Sequence, residues 1–316
     1  MFNSFISIVT VIERHQEASQ LSVFLQNIHP ILSKHFEDYE IILVNNNTNT
    51  TLDSFIEPLH PDLKQNIFLL NLSSATFRNN AILAGLDRAN GDYTIIFELD
   101  FFENPALILR LYEQTTQGYD IVYLRAKERH IPLKYRLLYN LFYYLLKKYS
   151  SLKIDNKAHD TRIISRRALN SLLRLRENLR YMKAIYSMVG YNTNFIEVDQ
   201  LMVRDYGSFS ERFRTSLVAI TSYTTFLRTL LLWIFLFSVF FLIGVIINAL
   251  KVKITGIDLF GNVGEPFAGW TFLVVLIAIF FAVTCLNLYI MSIYLSNIYS
   301  EIKQRPLYII ESIKRF

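Results

Sequence analysis

Residues 93–105 read Tyr-Thr-Ile-Ile-Phe-Glu-Leu-Asp-Phe-Phe-Glu-Asn-Pro, a short apolar run followed by acidic residues and by a helix-start signal. The β-branched and aromatic residues at 93–97 predict a buried strand. Asn104 and Pro105 predict the start of a helix, with Asn as its N-cap and Pro at its first helical position. Glu98 and Asp100 therefore stand at the carboxyl end of a strand, the edge at which parallel sheets bind ligands.

Strand and helix patterns alternate on both sides of this stretch. Strands are predicted at 5–11, 39–44, 67–70 and 120–124, and helices at 19–32 and 77–89. Short apolar strands separated by helices predict an α/β domain with a mostly parallel sheet and helices on both faces. The asparagine-rich loop at 45–50 follows the second strand, so it is the other place where a ligand is expected.

The two carboxylates at the end of the fourth strand have two interpretations. Residues i and i+2 of a strand point the same way, so Glu98 and Asp100 could converge on one cation. Mg²⁺ is typically held by one or two carboxylates together with substrate phosphates. The alternative is that both are solvated acids near a helix N-terminus, where the helix dipole favours negative charge.

The chain also contains two long apolar runs. Hydrophobic residues make up 52% of the 316 residues, and most of the surplus follows Phe226. Residues 229–250 and 267–300 carry no charge, and each run exceeds the roughly 20 residues that cross a bilayer as a helix. A pair of core helices is the alternative, although core helices of this length normally keep a polar face.

Lys and Arg are distributed unevenly around these runs. Basic residues flank the pair on both sides, at Arg212, Arg214, Arg228, Lys303, Arg305, Lys314 and Arg315, whereas the connecting loop has Lys251 and Lys253. The positive-inside rule predicts a multi-pass protein of the cytoplasmic membrane, with the loop outside and the first domain and both termini cytoplasmic. The start of the chain shows no signal-peptide pattern. The net charge of +5 suits a lipid surface better than nucleic acid.

These patterns divide the chain into four parts: an α/β domain at 1–205, an amphipathic helix at 206–228, two transmembrane helices at 229–300 with an external loop at 251–266, and a tail at 301–316. The basic, aromatic helix at 206–228 is expected to lie at the membrane interface. A similar pattern at 131–148 fits the interface and the soluble core equally. Residues 298–308 are expected to fold back beside the first domain.

Several segments resemble one family, in the family's own order. They are Arg78-Asn79 with residues 84–86 and 89–93, the acidic motif at 98–108, His159-Asp160-Thr161-Arg162 with the residues that follow, and the segments at 186–191 and 298–308. In these segments the chain resembles glycosyltransferase family 2. More narrowly, it is similar to the polyprenyl-phosphate glycosyltransferases, such as bactoprenol glucosyltransferases and dolichol-phosphate mannose synthases.

The resemblance implies a nucleotide-sugar type A (GT-A) fold and transfer of a sugar from a nucleotide sugar to a polyprenyl phosphate, with inversion. It implies catalytic and metal-binding roles for Asp100 and Glu98, with Mg²⁺ or Mn²⁺ as cofactor. It implies nucleotide contacts by Thr10, Val11, Glu13, Asn45, Asn46, Arg78 and Asn79. Arg125, Arg129, Arg162 and Arg204 are candidates for phosphate, since arginine forks bind phosphate oxygens well. Arg162 has the closest motif match, although each arginine alone fits a surface role. The lipid bilayer is an expected partner, and a homo-oligomer is left open.

The chain departs from the family pattern at ligand positions. The family's Val-Asp-Asp-Gly-Ser-Thr-Asp loop is Val-Asn-Asn-Asn-Thr-Asn-Thr at 44–50, so two carboxylates are amides. Amides hydrogen-bond a base or ribose but do not attract a cation. Two other functions therefore stay open: a catalytically impaired protein that binds lipid or a partner glycosyltransferase, and a processive synthase. The second is disfavoured because the chain lacks a Gln-x-x-Arg-Trp motif.

Overall fold

The computed structural model describes residues 1–47, 50–128, 133–150, 152, 154–175, 181–199, 209–257, 259, 261, 269–303 and 305–316. Within these residues the strands are β1 (Phe2–Ile12), β2 (Phe36–Asn45), β3 (Ile67–Leu72), β4 (Tyr93–Ile96), β5 (Ile121–Ala126), β6 (Ala158–Ser165), β7 (Thr193–Val198) and β8 (Ile310–Arg315). They form one mixed sheet in the order β7-β5-β6-β4-β1-β2-β3-β8.

The helices are α1 (His15–His35), α2 (Asp53–Ile56), α3 (Pro61–Lys64), α4 (Arg78–Arg88), α5 (Leu107–Thr116), α6 (Leu133–Tyr149), α7 (Arg166–Arg174), α8 (Met182–Met188), α9 (Phe209–Tyr223), α10 (Phe226–Thr255) and α11 (Gly269–Ile302). Helices α1 and α5 pack on one face of the sheet, and α4 and α7 pack on the other. Alternation along β1 explains this, because Ile8 faces the first core and Val9 the second. The α/β prediction is confirmed.

Strands β3-β2-β1-β4 form the main parallel part of the sheet, and β5 also pairs parallel with β7. In the centre of the main part Ile8 of β1 is paired with Ile41 of β2 and with Ile95 of β4. Strand β6 then runs antiparallel between β4 and β5, so the fourth and fifth strands predicted from the sequence are not neighbours. Strand β6 was not predicted, because His159, Asp160 and Arg162 interrupt its apolar pattern.

The helix after the acidic residues begins later than predicted. Its N-cap is Ala106, and Asn104 and Pro105 form a turn before it. In that turn the Leu107 N–H donates to the Asn104 carbonyl at 3.1 Å, and the Ile108 N–H donates to the Pro105 carbonyl at 3.0 Å. The Asn-Pro signal thus marks the turn that leads into the helix.

Helices α10 and α11 contain the two apolar runs. Their segments Phe226–Val252 and Val275–Ile302 are long and apolar enough to cross a membrane, by length and composition. Buried residues make up 0% of the most apolar part of the first segment and 6% of that of the second, so neither is a core helix of a soluble domain. The Asn297 amide of α11 donates to the Thr221 hydroxyl of α9 at 2.9 Å, which joins the amphipathic helix to the apolar pair.

Helix α6 has one packed side and one apolar exposed side. Leu145 and Leu146 are buried, whereas Leu137 is 79% exposed and Leu141 is 51% exposed. At its end the Tyr149 carbonyl accepts from the Thr225 N–H at 3.0 Å, directly before α10 begins. Helix α6 thus has an exposed apolar side, which the interfacial interpretation requires, and a buried side, which the soluble-core interpretation requires.

The chain returns to the sheet after α11. Strand β8 pairs antiparallel with β3, with Ile313 opposite Leu70. Phe316 packs against one core, and Tyr308 and Ile310 pack against the other. The predicted return of the tail is confirmed for Tyr308 and its neighbours, whereas residues 298–302 still belong to α11. Residues 310–315 thus complete the edge of the sheet, although the sequence places them in a separate tail.

Candidate active site

The carboxyl edge of the parallel strands brings four chain segments together. Strands β1, β2 and β4 end there, and β6 starts there, since Ile96 of β4 is paired with Arg162 of β6. The predicted residues Glu13, Asn46 and Glu98 follow or end these strands. The edge therefore gathers polar side chains that are far apart in the sequence, as the sheet topology predicts.

Arg78 is the centre of this cluster. It is the first residue of α4, and its side chain is 11% exposed. Its Nη1 lies 3.1 Å from Oε2 of Glu13, its Nη2 lies 3.5 Å from Oε1 of Glu98, and its Nε lies 3.1 Å from Oδ2 of Asp160. One guanidinium thus neutralises carboxylates from three segments. The sequence assigned Arg78 and Glu13 to the nucleotide, and it assigned no site role to Asp160.

Glu98 is bound into the protein through both carboxylate oxygens. Its Oε2 accepts from the backbone N–H groups of Asp160 and Thr161, at 3.0 and 3.1 Å, and from the Thr161 hydroxyl at 3.2 Å. Its Oε1 faces Arg78, and the residue is 6% exposed. This environment fits a side chain that positions the start of β6 better than an open cation ligand.

Asp100 lies in a different environment. Strand β4 ends at Ile96, and residues Leu99–Phe101 form a short 3-10 helix. The rule that residues i and i+2 of a strand point the same way therefore does not apply to this pair. Leu99 and Phe101 are buried and fix the turn, whereas Asp100 is half-buried.

The residues can be tested against the implied divalent cation. No group of three or more His, Cys, Asp or Glu side chains in the described part of the chain could hold a metal ion. Asp100 is the half-buried carboxylate in the turn after β4. A single carboxylate fits Mg²⁺ when substrate phosphates supply further oxygens, so the site fits a cation that arrives with a nucleotide diphosphate.

Asp160 is an ionised carboxylate beside three cations. Desolvation is the largest influence and raises the pKa of this carboxyl, but Arg78, Lys183 and Arg162 outweigh it, so the pKa lies below the ordinary value. Lys183 is held close by a hydrogen bond from its Nζ to the Ala158 carbonyl at 2.7 Å. Asp160 therefore carries its negative charge at neutral pH. Its position in the motif with Arg162 was the available sequence signal.

The two asparagines after β2 organise the loop that follows. The Asn45 amide donates to the Thr50 carbonyl and to Oδ1 of Asn71, each at 3.0 Å, and its Oδ1 accepts from the Asn47 N–H at 3.1 Å. Asn46 exchanges two hydrogen bonds with the backbone of Thr76, at 2.8 and 2.9 Å. Asn46 also donates to Oε1 of Glu13 at 3.1 Å, which joins the loop to the Arg78 cluster.

The other predicted nucleotide contacts lie in or beside the same edge. Thr10 is buried and its hydroxyl donates to the Phe97 carbonyl at 3.1 Å, so it ties β1 to the chain after β4. Val11 is buried in the core against α4. Asn79 is half-buried in the first turn of α4. Thr10 and Val11 support the site from beneath.

The predicted phosphate arginines are dispersed. Arg162 is 3% exposed; its guanidinium donates to the Asp160 and His159 carbonyls and stacks 3.7 Å above the Tyr186 ring. Arg125 pairs with Asp155 at 3.2 Å and lies over the Phe195 ring. Arg129 and Arg204 fall outside the described residues. The contacts of Arg162 favour a role in shaping the start of β6.

The sheet, the acidic turn after β4 and the edge cluster agree with the comparison to known families. Residues 12–173 match the family model described as "Glycosyl transferase family 2". This chain belongs to that family, and it is a glycosyltransferase with a GT-A-like fold.

Relatives extend the similarity over the whole chain. A prophage-derived bactoprenol glucosyl transferase of Shigella flexneri is 30% identical over 319 residues, covering 98% of this chain and 98% of the relative. An uncharacterized glycosyltransferase of Synechocystis sp. is 27% identical, covering 98% and 96%. Among solved structures, mannosyl-3-phosphoglycerate synthase from Rubrobacter xylanophilus is 13% identical with a TM-score of 0.45, covering 69% of this chain and 72% of that chain.

Proposed function

We propose that this protein transfers a sugar from a nucleotide sugar to a polyprenyl phosphate at the cytoplasmic face of a membrane, with inversion, for cell-surface glycan modification. The observation that carries the proposal is the full-length similarity to a bactoprenol glucosyl transferase, which extends through both apolar helices. These helices suit an acceptor with a long apolar chain, because helices that cross the bilayer would hold the sheet domain beside the lipid. The polar residues around Arg78 at the carboxyl edge of the sheet suit the nucleotide sugar.

The reaction is a single displacement. A phosphate oxygen of the acceptor forms a bond to the anomeric carbon while the bond from that carbon to the nucleotide diphosphate breaks. The electron pair of the broken bond leaves with the diphosphate, and the configuration inverts. A phosphomonoester has a second pKa near ~6, so the acceptor is largely anionic at neutral pH and needs no strong base. Stabilising the departing diphosphate is the main catalytic task.

The residues of the site divide this task. Asp100 would hold a divalent cation, Mg²⁺ or Mn²⁺, and the cation would offset the charge of the departing diphosphate. Arg78 and Glu98 hold the ends of β1 and β4 and the start of β6 together through their contacts with each other and with these strands. Asn45 and Asn46 order the loop where the base and ribose are expected. Arg125, Arg129, Arg162 and Arg204 stay candidates for the phosphates.

A second function is favoured by one specific observation. The loop after β2 carries amides at 45–46, and Arg78 already neutralises the neighbouring carboxylates. A protein that binds lipid or a partner glycosyltransferase, and transfers no sugar itself, needs neither carboxylates in this loop nor free carboxylates beside Arg78. Nucleotide binding separates the two functions, since this alternative does not require it.

A screen with purified full-length protein tests the proposal. Candidate nucleotide sugars are mixed with undecaprenyl phosphate and Mg²⁺ or Mn²⁺, and the lipid product is detected by mass spectrometry. We expect one donor to give a glycosyl phospholipid. Absence of product with every donor, together with absence of nucleoside diphosphate binding by calorimetry, would favour the second function.

The membrane orientation is proposed from the distribution of basic residues and has its own test. In a Cys285→Ala background, single cysteines replace Ile257, in the short connection between α10 and α11, and Glu311, on β8. An impermeant maleimide is expected to label Ile257→Cys in intact cells and Glu311→Cys only after permeabilisation. The opposite labelling pattern would reject the proposed orientation.

A further inference from the structure

The chain that follows the second apolar helix is linked to Asn45 and Asn46, the first two residues of the loop after β2. Each link runs through one intermediate residue. On one path, Nδ2 of Asn71 donates to the Ser312 hydroxyl at 3.0 Å, and Oδ1 of Asn71 accepts from Asn45 at 3.0 Å. Ser312 is separated from Asn71 by 241 positions in the sequence. The carboxyl-terminal strand thus ends a short hydrogen-bonded path that begins in the loop.

The second path runs through Thr76. The Thr76 hydroxyl donates to the Leu307 carbonyl at 3.4 Å. The backbone of Thr76 exchanges two hydrogen bonds with the Asn46 amide, at 2.8 and 2.9 Å. Two consecutive loop residues are therefore linked separately to the segment at 307–312, which we call the return segment.

The return segment is itself anchored firmly. The Ile309 carbonyl accepts from the Ser73 N–H at 2.9 Å, and the Tyr308 hydroxyl donates to Asp87 of α4 at 2.5 Å. Lys314 pairs with Asp53 at 2.6 Å, on the same strand but outside both paths. A segment fixed at several points can hold Asn71 and Thr76 in one position, and through them the two asparagines.

We propose that the return segment is a positioning element of the donor site, which sets the conformation of the loop that begins at Asn45. The ligand class it serves, a nucleoside diphosphate, rests on the proposed function. Ser312 and Leu307 are positioning residues, because they act through Asn71 and Thr76. The side chain of Asn45 uses its donors on Thr50 and Asn71 and its acceptor on Asn47, so its task is to shape the loop.

The test uses three variants of the full-length protein. Ser312→Ala removes the acceptor of Asn71, Ser312→Thr keeps a hydroxyl, and Lys314→Ala removes an anchor of the same strand but leaves both paths intact. Hydrogen exchange of the Asn46, Asn47 and Thr50 amides is measured without ligand by mass spectrometry. We expect exchange to be about two- to tenfold faster in Ser312→Ala, the effect of one lost hydrogen bond. The other two variants should match the wild type.

Two results of the exchange measurement would overturn the inference. One is unchanged exchange in Ser312→Ala. The other is equal acceleration in Lys314→Ala, which would mean that general attachment of the strand, and not the path through Asn71, controls the loop.

Calorimetry with nucleoside diphosphates separates this inference from the proposed function. If the wild type binds, affinity should fall about two- to tenfold in Ser312→Ala and stay unchanged in Ser312→Thr and Lys314→Ala. Equal affinity in the wild type and Ser312→Ala would overturn the role in donor binding. If the wild type binds no nucleotide, the proposed function fails, while the exchange measurement still decides whether the return segment sets the loop.

Discussion

Asp100→Asn is expected to lower the rate of sugar transfer by at least about 100-fold, the effect of losing one group that stabilises charge in the transition state. The substitution keeps the size of the side chain and removes its charge, in a turn whose neighbours Leu99 and Phe101 stay buried. Folding should therefore be retained. The measurement is transfer to undecaprenyl phosphate with the donor identified by the screen.

Glu98→Gln is the matched control. Its oxygens face β6 and Arg78, so this change should weaken transfer less than Asp100→Asn and should also lower stability, by about 1–3 kcal/mol for disturbed buried hydrogen bonds.

Affinity for nucleoside diphosphate should depend on Mg²⁺ or Mn²⁺ in the wild type. Equal affinity with metal and with chelator, together with full transfer by Asp100→Asn, would refute the metal-assisted mechanism.

Arg78→Met should cause the largest loss of stability. It leaves Glu13, Glu98 and Asp160 without their shared guanidinium, and the three side chains are 16%, 6% and 22% exposed. Breaking a buried ion pair by removing one partner costs about 3–5 kcal/mol. Arg78→Lys should be intermediate, because one ammonium cannot reach all three carboxylates. Urea unfolding should be followed by circular dichroism. Tryptophan fluorescence would not report on the sheet domain, because Trp233 and Trp270 lie in the apolar helices.

The stability loss in Arg78→Met should depend on pH. The pKa of Asp160 lies below its ordinary value of 3.8 in the wild type, so its contribution is present above that value and is lost as the pH falls below it. In the variant the carboxylates take up protons more readily. The difference in unfolding free energy should therefore be full at neutral pH and shrink as the pH falls towards and below 3.8. Arg110→Met, on the exposed side of α5, is the control. A constant difference across this range would contradict the charge explanation.

The sequence predicted the apolar strands that are buried on both faces. It missed β6 and β8, whose polar residues make sense only beside residues that are distant in the sequence. Strands β1 and β2 are apolar enough to be recognised alone. Strand β6 contains His159, Asp160 and Arg162, which suggest a loop until Arg78 and Glu98 are placed beside them. Strand β8 is a charged edge strand, and charged side chains are common where a sheet must not pair further.

The same reasoning explains which parts of the site were predictable. The strand-end rule predicted that Asn46 and Glu98 would lie at one edge, whereas Glu13 was assigned to the nucleotide through the family resemblance. The environments of Glu98 and Asp100 could not be predicted, because they depend on the turn from strand to 3-10 helix after Ile96. Asp160 carried a visible motif, but its importance follows from the three cations around it.

The pairing of β3 with β8 has a consequence for biosynthesis. Asn71 and its partner Ser312 are 241 positions apart, and both apolar helices lie between them. During translation the edge of the sheet stays open while these helices are made, and it can close only after β8 has left the ribosome. Closing a loop of this length is entropically costly and slow. Until it closes, the unpaired edge of β3 is exposed, and the nascent chain can aggregate through it. Phe316, directly after β8, packs against the core, so this part of the sheet domain can fold only after both apolar helices have been made.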